Sequence, residues 1–454
     1  MDIGVRLAEV VEDVRTGAEA ADDYGHDEAL GAVLVRPAYV VRPRTTDEVA
    51  GVLRLATEGR VPVTARGSGS GLSGAAIPSA DGIVVSFERM NSVLEIDPDN
   101  HVAVVQPGVT LTELDERTAG AGLVYPVYPG NMGASLGGNV ATNAGGMRAV
   151  KYGVTRHHVL GLEAVLPTGE VLRTGGRYVK SSTGYDLTQL IVGSEGTLAL
   201  VTEATLKLQP RVRHNATLLA PFRDLAGVTD AVPKLVSSGL APLVLEYIDF
   251  LTMAAITHTA DLPLGVPDSV REKALAYLVV MLENRDADRL DADVATAGEL
   301  LSDLGAMDVY VLPGGAARKL VEARENAFNT ARSVGADDVI DTVVPRAALP
   351  AFMTRVTEIG PAHDTVIVGC GHAGDGNVHL ALFQKDADKL AATLRDLFAA
   401  AMDLGGAISG EHGLGRTKKK YFLDLEDPGK IALMRRIKQA FDPAGVLNPG
   451  VLLD

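Results

Sequence analysis

Short apolar blocks rich in β-branched residues, broken by glycine clusters, run from residue 61 to about 210. This texture predicts short strands joined by loops, clearest at 61–65, 82–87 and 101–105 and continuing at 162–166, 170–174 and 198–202. Helical spacing intervenes at 110–121 and 136–142. Upstream, residues 7–35 read as a polar helical segment, and Thr46-Asp47-Glu48-Val49 after Pro43 predicts the capped start of an amphipathic helix. Past Pro210, longer helical patterns at 225–238, 288–304, 318–334 and 385–402 alternate with strands, as in an α+β domain. A further helix near 427–441 precedes the closing run from Asp442 to Gly450. The pattern thus divides the chain into 1–35, 36–210, 211–404 and 405–454. No internal repeat or low-complexity tract is visible.

Composition narrows the class. With 454 residues the chain allows about two to three domains. Lys and Arg total 42 against 58 Asp and Glu, a net charge of −16 that excludes nucleic acid as an expected partner. The single cysteine, Cys370, excludes an internal disulfide and a cysteine-based metal motif; it reads as a packing residue in a reducing compartment. Residues 1–6 carry no basic-then-apolar leader, and no apolar run reaches transmembrane length. The expected location is the cytoplasm, with at most peripheral contact at the inner face of the membrane.

The strongest chemical signal lies in Gly371-His-Ala-Gly-Asp-Gly-Asn-Val-His379 and Gly410-Glu-His-Gly-Leu-Gly415. Residues 365–368 and 378–382 read as strands, and Gly374-Asp375-Gly376-Asn377 as the hairpin turn between them. Such a hairpin would set His372 and His379 on facing strands, roughly 5 Å apart at Cβ. With Glu411 they form a candidate three-ligand metal set that leaves a position open, as catalytic metal sites do. His412 is the adjacent candidate base. Three of the 10 histidines fall in these two segments, which a plain polar turn explains poorly. By contrast, His157-His158 reads as structural and Lys418-Lys419-Lys420 as a solvated face. Tyr185-Asp186, after Ser181-Ser182-Thr183-Gly184, suits a loop-packing or a cofactor-bordering role equally.

Three glycine segments supply a second signal. Arg66-Gly-Ser-Gly-Ser-Gly-Leu-Ser-Gly74 contains Gly-x-Gly-x-x-Gly, but Pro78 and the Asp81-Gly82 pair leave no room for the helix a Rossmann fingerprint requires. What remains is exposed backbone N–H suited to an anion. Residues 128–147 and 192–198 repeat the small-residue texture, which lets backbone approach a large planar ligand.

These motifs, with Pro129-Gly-Asn, Gly193-Ser-Glu-Gly-Thr, Ser409-Gly-Glu-His-Gly-Leu-Gly-Arg and Leu447-Asn-Pro-Gly, resemble the vanillyl-alcohol-oxidase/p-cresol-methylhydroxylase flavoproteins. The resemblance covers nearly the whole chain. It is to the branch holding D-lactate dehydrogenase, the flavin subunit of glycolate oxidase and D-2-hydroxyglutarate dehydrogenase. It implies an α+β fold with a two-subdomain FAD-binding domain at 36–210, a substrate (cap) domain at 211–404 and a C-terminal segment that returns to the flavin domain. It implies FAD contacts at Arg66, Gly67, Ser68, Gly69, Ser70, Gly71, Leu72 and Gly74, with pyrophosphate on the 67–71 loop. Pro129, Gly130, Asn131, Gly138, Ala141, Gly145, Gly146, Glu195 and Gly196 would border the isoalloxazine, and Asn448 would return to it. Some relatives attach FAD through a histidine in the first loop; here there is none, so FAD is expected to be non-covalent. Metal ligation by His372, His379 and Glu411, proton removal by His412 and a grip on the substrate carboxylate by Arg324 are implied likewise. In isolation, Arg324 on a helix reads as a solvated face. Zinc suits the donor set, and manganese or iron would tolerate it.

The hydroxyglutarate enzymes hold a distal carboxylate with polar side chains where this chain has Phe328, Val339 and Ala381. A small or apolar D-2-hydroxy monocarboxylate such as D-lactate, glycolate or D-2-hydroxybutyrate is therefore expected, with D-2-hydroxyglutarate as the alternative. A metal-dependent hydrolase and a non-catalytic flavoprotein subunit are remoter readings, opposed by the glycine loops and by the intact histidines respectively. Quinone, a cytochrome, an electron-transfer flavoprotein or an iron–sulfur subunit are the candidate electron acceptors.

Overall fold

The structure is a computed structural model that describes residues 3–453. Met1, Asp2 and Asp454, the ends of the first and last segments, lie outside the described residues. Three sheets of four or more strands organise the described residues, beside a two-stranded pair of Leu123–Val124 and Gln209–Pro210. The first is four-stranded, in the order Val14–Thr16, Tyr39–Val41, Ile83–Ser86, Val63–Arg66, with its last three strands parallel. Helix Thr46–Gly59 packs Val49, Val52, Leu53 and Ala56 onto it. Its cap is Thr45 rather than Thr46, and the Thr45 hydroxyl accepts from the Glu48 amide.

Residues 7–35 are not a helical segment. Helix Ile3–Val10 gives way to strand Val14–Thr16 and a single 3-10 turn at Asp22–Gly25. Backbone crossing explains the difference: a Cβ on Gly17 would sit 1.9 Å from the Pro37 carbonyl oxygen. Close approach, which glycine alone permits, replaces helical continuity here.

The second sheet is antiparallel, in the order Val93–Asp97, Val102–Val105, Leu200–Lys207, Val159–Val165, Val171–Gly175. Leu200–Lys207 alternates buried and half-buried positions along its length, the signature of a sheet with one face in the core. No helix occurs between Arg66 and Ile83, so the first glycine loop is not a Rossmann turn.

The third sheet positions the site. Seven antiparallel strands run in the order Tyr310–Leu312, His214–Phe222, Ala276–Asn284, Val244–Asp249, Val366–His372, Asn377–Phe383, Asp338–Val343. One face packs Leu245, Tyr247, Leu380 and Leu382 against helices Leu225–Ser237, Leu349–Ala362 and Ala387–Asp403. The other face lies under helices Phe250–Thr259 and Gly314–Glu325 through Leu219, Ile248, Val279 and Cys370. The helix expected across 318–334 is broken at Asn326 into Gly314–Glu325 and Ala327–Ser333.

After helix Pro428–Phe441 the chain returns to the first sheet: Val63 N–H donates to Val446 O at 2.8 Å, and Asn448 N–H to Val63 O at 2.7 Å. Among the described residues, no helix is long and apolar enough to cross a membrane.

Candidate functional site

Strand alternation sends His372 and Cys370 from one strand, His379 and Ala381 from the next, and Asp341 and Val339 from the edge strand to the same face of the third sheet. The two histidines do not face each other as the hairpin reading expected. His372 pairs with Asn377 and His379 with Cys370, because the turn is Ala373–Gly376 and Asn377 already belongs to the strand. The rings meet on the diagonal instead, with centroids 4.9 Å apart and nearly perpendicular planes.

The 409–415 loop brings Glu411 and His412 over this face. Glu411 Oε1 lies 3.1 Å from His372 Nε2 and 3.4 Å from His379 Nε2. The other ring nitrogens face carboxylates: His372 Nδ1 hydrogen-bonds Glu246 Oε1 at 2.6 Å, while His379 Nδ1 lies 3.7 Å from Asp341 Oδ1, beyond hydrogen-bond distance. The His412 ring stacks on His379 at 5.2 Å. Asp341, His379, Glu411 and His412 each offer a ligand atom within 4.8 Å of the others. Carboxylates on the outer nitrogens, with inner nitrogens turned to a shared carboxylate, form the surroundings that metal-ligating histidines carry.

The electrostatics fit that reading at Glu411 and His379 and run against it at His372. Burial would raise the Glu411 carboxyl, but the His372 charge and hydrogen bond outweigh it and hold it at about 2. Burial, reinforced by the neighbouring His372 charge, pushes His379 well below its ordinary value, favouring the neutral imidazole that binds metal. Burial also opposes a charged His372, yet Glu246 and Glu411 together lift it well above the usual range.

The loop itself is held from three sides. Asp341 Oδ2 accepts from Ser409 Oγ and from the amides of Gly410, Glu411 and His412 at 2.7–3.0 Å, while Asn377 Nδ2 donates to Oδ1 at 2.7 Å. From the second sheet's end, Glu195 accepts from the Leu414 and Gly415 amides at 2.9 and 2.8 Å, though burial lifts its carboxyl to about 7. The Ser73 hydroxyl reaches the His412 and Gly413 carbonyls, each at 2.9 Å.

Beside the loop lies a cavity of about 200 Å³ lined by Gly67 to Leu72, Pro129, Asn131, Gly138, Ala141, Gly145, Glu195, Gly196 and Asn448. A Cβ on Gly145 would stand 2.7 Å from Glu411 Oε2, and one on Gly67 1.9 Å from Ser135 Oγ. The cradle therefore exists only with glycine there. Asn139 Nδ2, buried on its wall, has no partner among the described residues and is free to donate to a bound group. Asn448 Nδ2 ties the returning chain to the Ala75 and Glu195 carbonyls, each at 2.9 Å. Four expected contacts, Arg66, Gly74, Gly130 and Gly146, do not line the cradle. Arg66 is turned away, its Nη1 donating to the His26 carbonyl at 2.7 Å, and Gly74 packs against Arg416 and Thr417.

A larger cavity of about 1010 Å³ opens on the other side of the loop, and Gly130 and Gly146 border this one instead of the cradle. Glu411 and His412 line both. Arg324, far from a solvated face, is 6% exposed in the larger cavity's wall, with Nη2 2.7 Å from Glu246 Oε2. Its Nε has no hydrogen-bond partner among the described residues. Phe328, Val339 and Ala381 line the same cavity.

Other candidates resolve as structure. His158 Nε2 contacts the Tyr152 carbonyl and His157 Nδ1 accepts from the Val154 amide. Asp186 caps helix Leu187–Ile191, and Tyr185 is exposed. Lys418 is not solvated but pairs with Asp338 at 2.6 Å. Sequence reasoning missed Glu246 and Asp341, although each is an acidic residue in the interior of a mostly apolar strand, the one available signal for a buried partner.

Comparison with known proteins agrees with this architecture. Residues 37–175 match the family described as FAD binding domain, and residues 211–452 the FAD linked oxidases, C-terminal domain. An uncharacterised FAD-linked oxidoreductase of Mycobacterium tuberculosis is 61% identical over 99% of both chains. A D-lactate dehydrogenase of Anaerostipes hadrus is 36% identical over 96% of this chain and 94% of its own. The structure of p-cresol methylhydroxylase superposes with a TM-score of 0.79, covering 100% of this chain and 96% of that one at 18% identity, a likeness of fold.

Proposed function

Because this chain belongs to the FAD-linked oxidases, an oxidoreductase family, we propose that it oxidises D-2-hydroxy monocarboxylic acids, D-lactate or glycolate among them, to 2-oxo acids. One observation carries the reading: Glu411 and His412 stand in the wall shared by the glycine cradle and the larger cavity, where a substrate hydroxyl can meet both a proton acceptor and a flavin.

The residues divide the work. Arg324 receives the substrate carboxylate; its guanidinium is set by Glu246, which also orients His372. His412 takes the hydroxyl proton as general base. His372, His379 and Glu411 would hold a divalent ion, zinc suiting two imidazoles and a carboxylate. Bound there, the ion supplies Lewis-acid polarisation of the hydroxyl. The glycine loops at 67–72 and 129–146, with Asn448, would hold FAD, which when bound accepts hydride from C2 at N5. A separate electron acceptor would be needed to complete the turnover. Preference for the D acid rests on likeness to the D-lactate dehydrogenase.

Two results test this. Acid precipitation of the yellow protein should release all flavin to the supernatant, since residues 66–74 contain no histidine for a covalent link. D-lactate or glycolate should bleach the bound flavin; flavin retained in the pellet, or no bleaching by any 2-hydroxy acid, would contradict the corresponding claim.

Dicarboxylates should be poor substrates. Among the described lining residues of the larger cavity, Arg324 is the only arginine or lysine, and the Asn329 and Thr330 side chains carry no charge. Glu325 lines it too; burial lifts its carboxyl to about 7, and its Oε1 has no partner among the described residues. A second carboxylate meets no second cation and, when Glu325 is ionised, a like charge. The kcat/KM for D-2-hydroxyglutarate should fall below that for D-lactate by about two orders of magnitude, from a desolvation cost of a few kcal/mol. Stopped-flow flavin reduction at matched concentrations measures it, and fastest reduction by D-2-hydroxyglutarate would reverse the assignment.

A further inference from the structure

Resting on the dehydrogenase reading, we propose that the preferred substrates are 2-hydroxy acids bearing a long apolar tail, which lies along the sheet face leading away from His379. Three strand rungs build the track. Cys370 pairs with His379, Val368 with Ala381 and Val366 with Phe383, and all six side chains line the larger cavity. The face passes from metal-ligating to purely apolar within two rungs, and at about 3.4 Å per residue Phe383 lies roughly 14 Å beyond His379.

The facing wall is apolar in part: Leu251, Ala255 and Ile256 come from helix Phe250–Thr259, Phe328 and Ala331 from helix Ala327–Ser333 and Val334 from just past its end, interleaved with the uncharged Thr252, Asn329 and Thr330. The outer end is open to solvent through an apolar rim: Val366 is 57% exposed, Val334 57% and Leu251 55%. Three large aliphatic side chains exposed at one cavity mouth mark a ligand path rather than chance surface. The methyl of lactate would use only the first rung. The cavity's 129–147 side is left to the flavin, yet the sheet side alone would hold water against apolar walls if the substrate ended at C3. A tail running from Ala381 towards Phe383 would displace that water, with the carboxylate at Arg324 and the hydroxyl at His412.

The test uses the FAD- and metal-loaded enzyme with an artificial dye acceptor. The series is D-lactate, D-2-hydroxybutyrate, D-2-hydroxyhexanoate and D-2-hydroxyoctanoate. kcat/KM should rise roughly fourfold for each methylene buried along the track. Calorimetric binding of the product analogues should follow, 2-oxooctanoate binding more tightly than pyruvate. Val368→Asp, at the second rung where an octanoate tail ends, should lower the octanoate-to-lactate ratio of kcat/KM at least about tenfold by placing a charge beside the tail. Equal or falling kcat/KM beyond lactate, or pyruvate binding as tightly as 2-oxooctanoate, would overturn the tail assignment and leave the dehydrogenase reading intact. Flavin reduction by no acid of any length would overturn both.

Discussion

Replacing His379 with alanine should remove the divalent ion and lower turnover about a thousandfold, corresponding to ~4 kcal/mol of lost transition-state stabilisation. Burial and the neighbouring His372 favour the neutral His379 imidazole, whose Nε2 lies 3.4 Å from Glu411 Oε1. Two remaining ligands, His372 and Glu411, would not retain an ion against buffer. FAD should stay bound, because His379 does not line the glycine cradle. Elemental analysis and the visible spectrum of one preparation separate the outcomes. Loss of metal and turnover with the flavin spectrum intact is the expected pattern. Full activity after exhaustive chelation, with no metal detected, would mean that the histidines serve as hydrogen-bonding groups only.

Asp341→Asn should destabilise the protein by about 3–5 kcal/mol, the usual consequence of disrupting a buried charge–donor network. The wild-type carboxylate is buried, and burial would raise it. Its interactions with the His412 and His379 imidazoles and with the loop amides hold it well below the usual carboxylate range. One oxygen receives four donors and the other receives Asn377. An amide in that place must turn an NH2 group either toward the loop amides or toward the Asn377 amide. Denaturant unfolding should show an earlier midpoint for the variant, and the activity loss should exceed the stability loss because Glu411 and His412 ride on the loop. An unchanged midpoint would show that solvent replaces the carboxylate at little cost.

That aspartate marks where the sequence stops being legible. Glycine loops, the Gly-His and Glu-His segments and the Asn-Pro-Gly return all announce themselves, because each needs small residues or rare imidazoles at fixed spacing. They sufficed for the flavoprotein fold and for placing His372, His379, Glu411 and His412 in one centre. Asp341 and Glu246 do not announce themselves. Each shares its strand with another acidic residue, Asp338 and Asp249 respectively, so neither stands out, and their partners lie 70 and 126 residues away, at Glu411 and His372. The diagonal meeting of the two histidines was hidden for a different reason: a strand register depends on where the turn ends, and Asn377 fits both a turn and a strand. The 7–35 misreading is similar, since local polarity cannot reveal that Gly17 is pressed against Pro37.

The 409–415 loop is pinned by Ser73, Glu195 and Asp341, one from the first glycine loop, one from the end of the second sheet and one from the third sheet. None of the three neighbours another in the chain. The reaction centre therefore has no existence within any single folding unit and comes into being only when all three have docked. Contacts spanning so much sequence carry a large loop-closure cost and form late. A newly made chain can thus acquire its sheets, and much of its helical content, while still chemically inert. The imidazoles of the third sheet and the glycine cradle therefore come within reach of one another only in the assembled molecule, where Glu411 and His412 border both cavities.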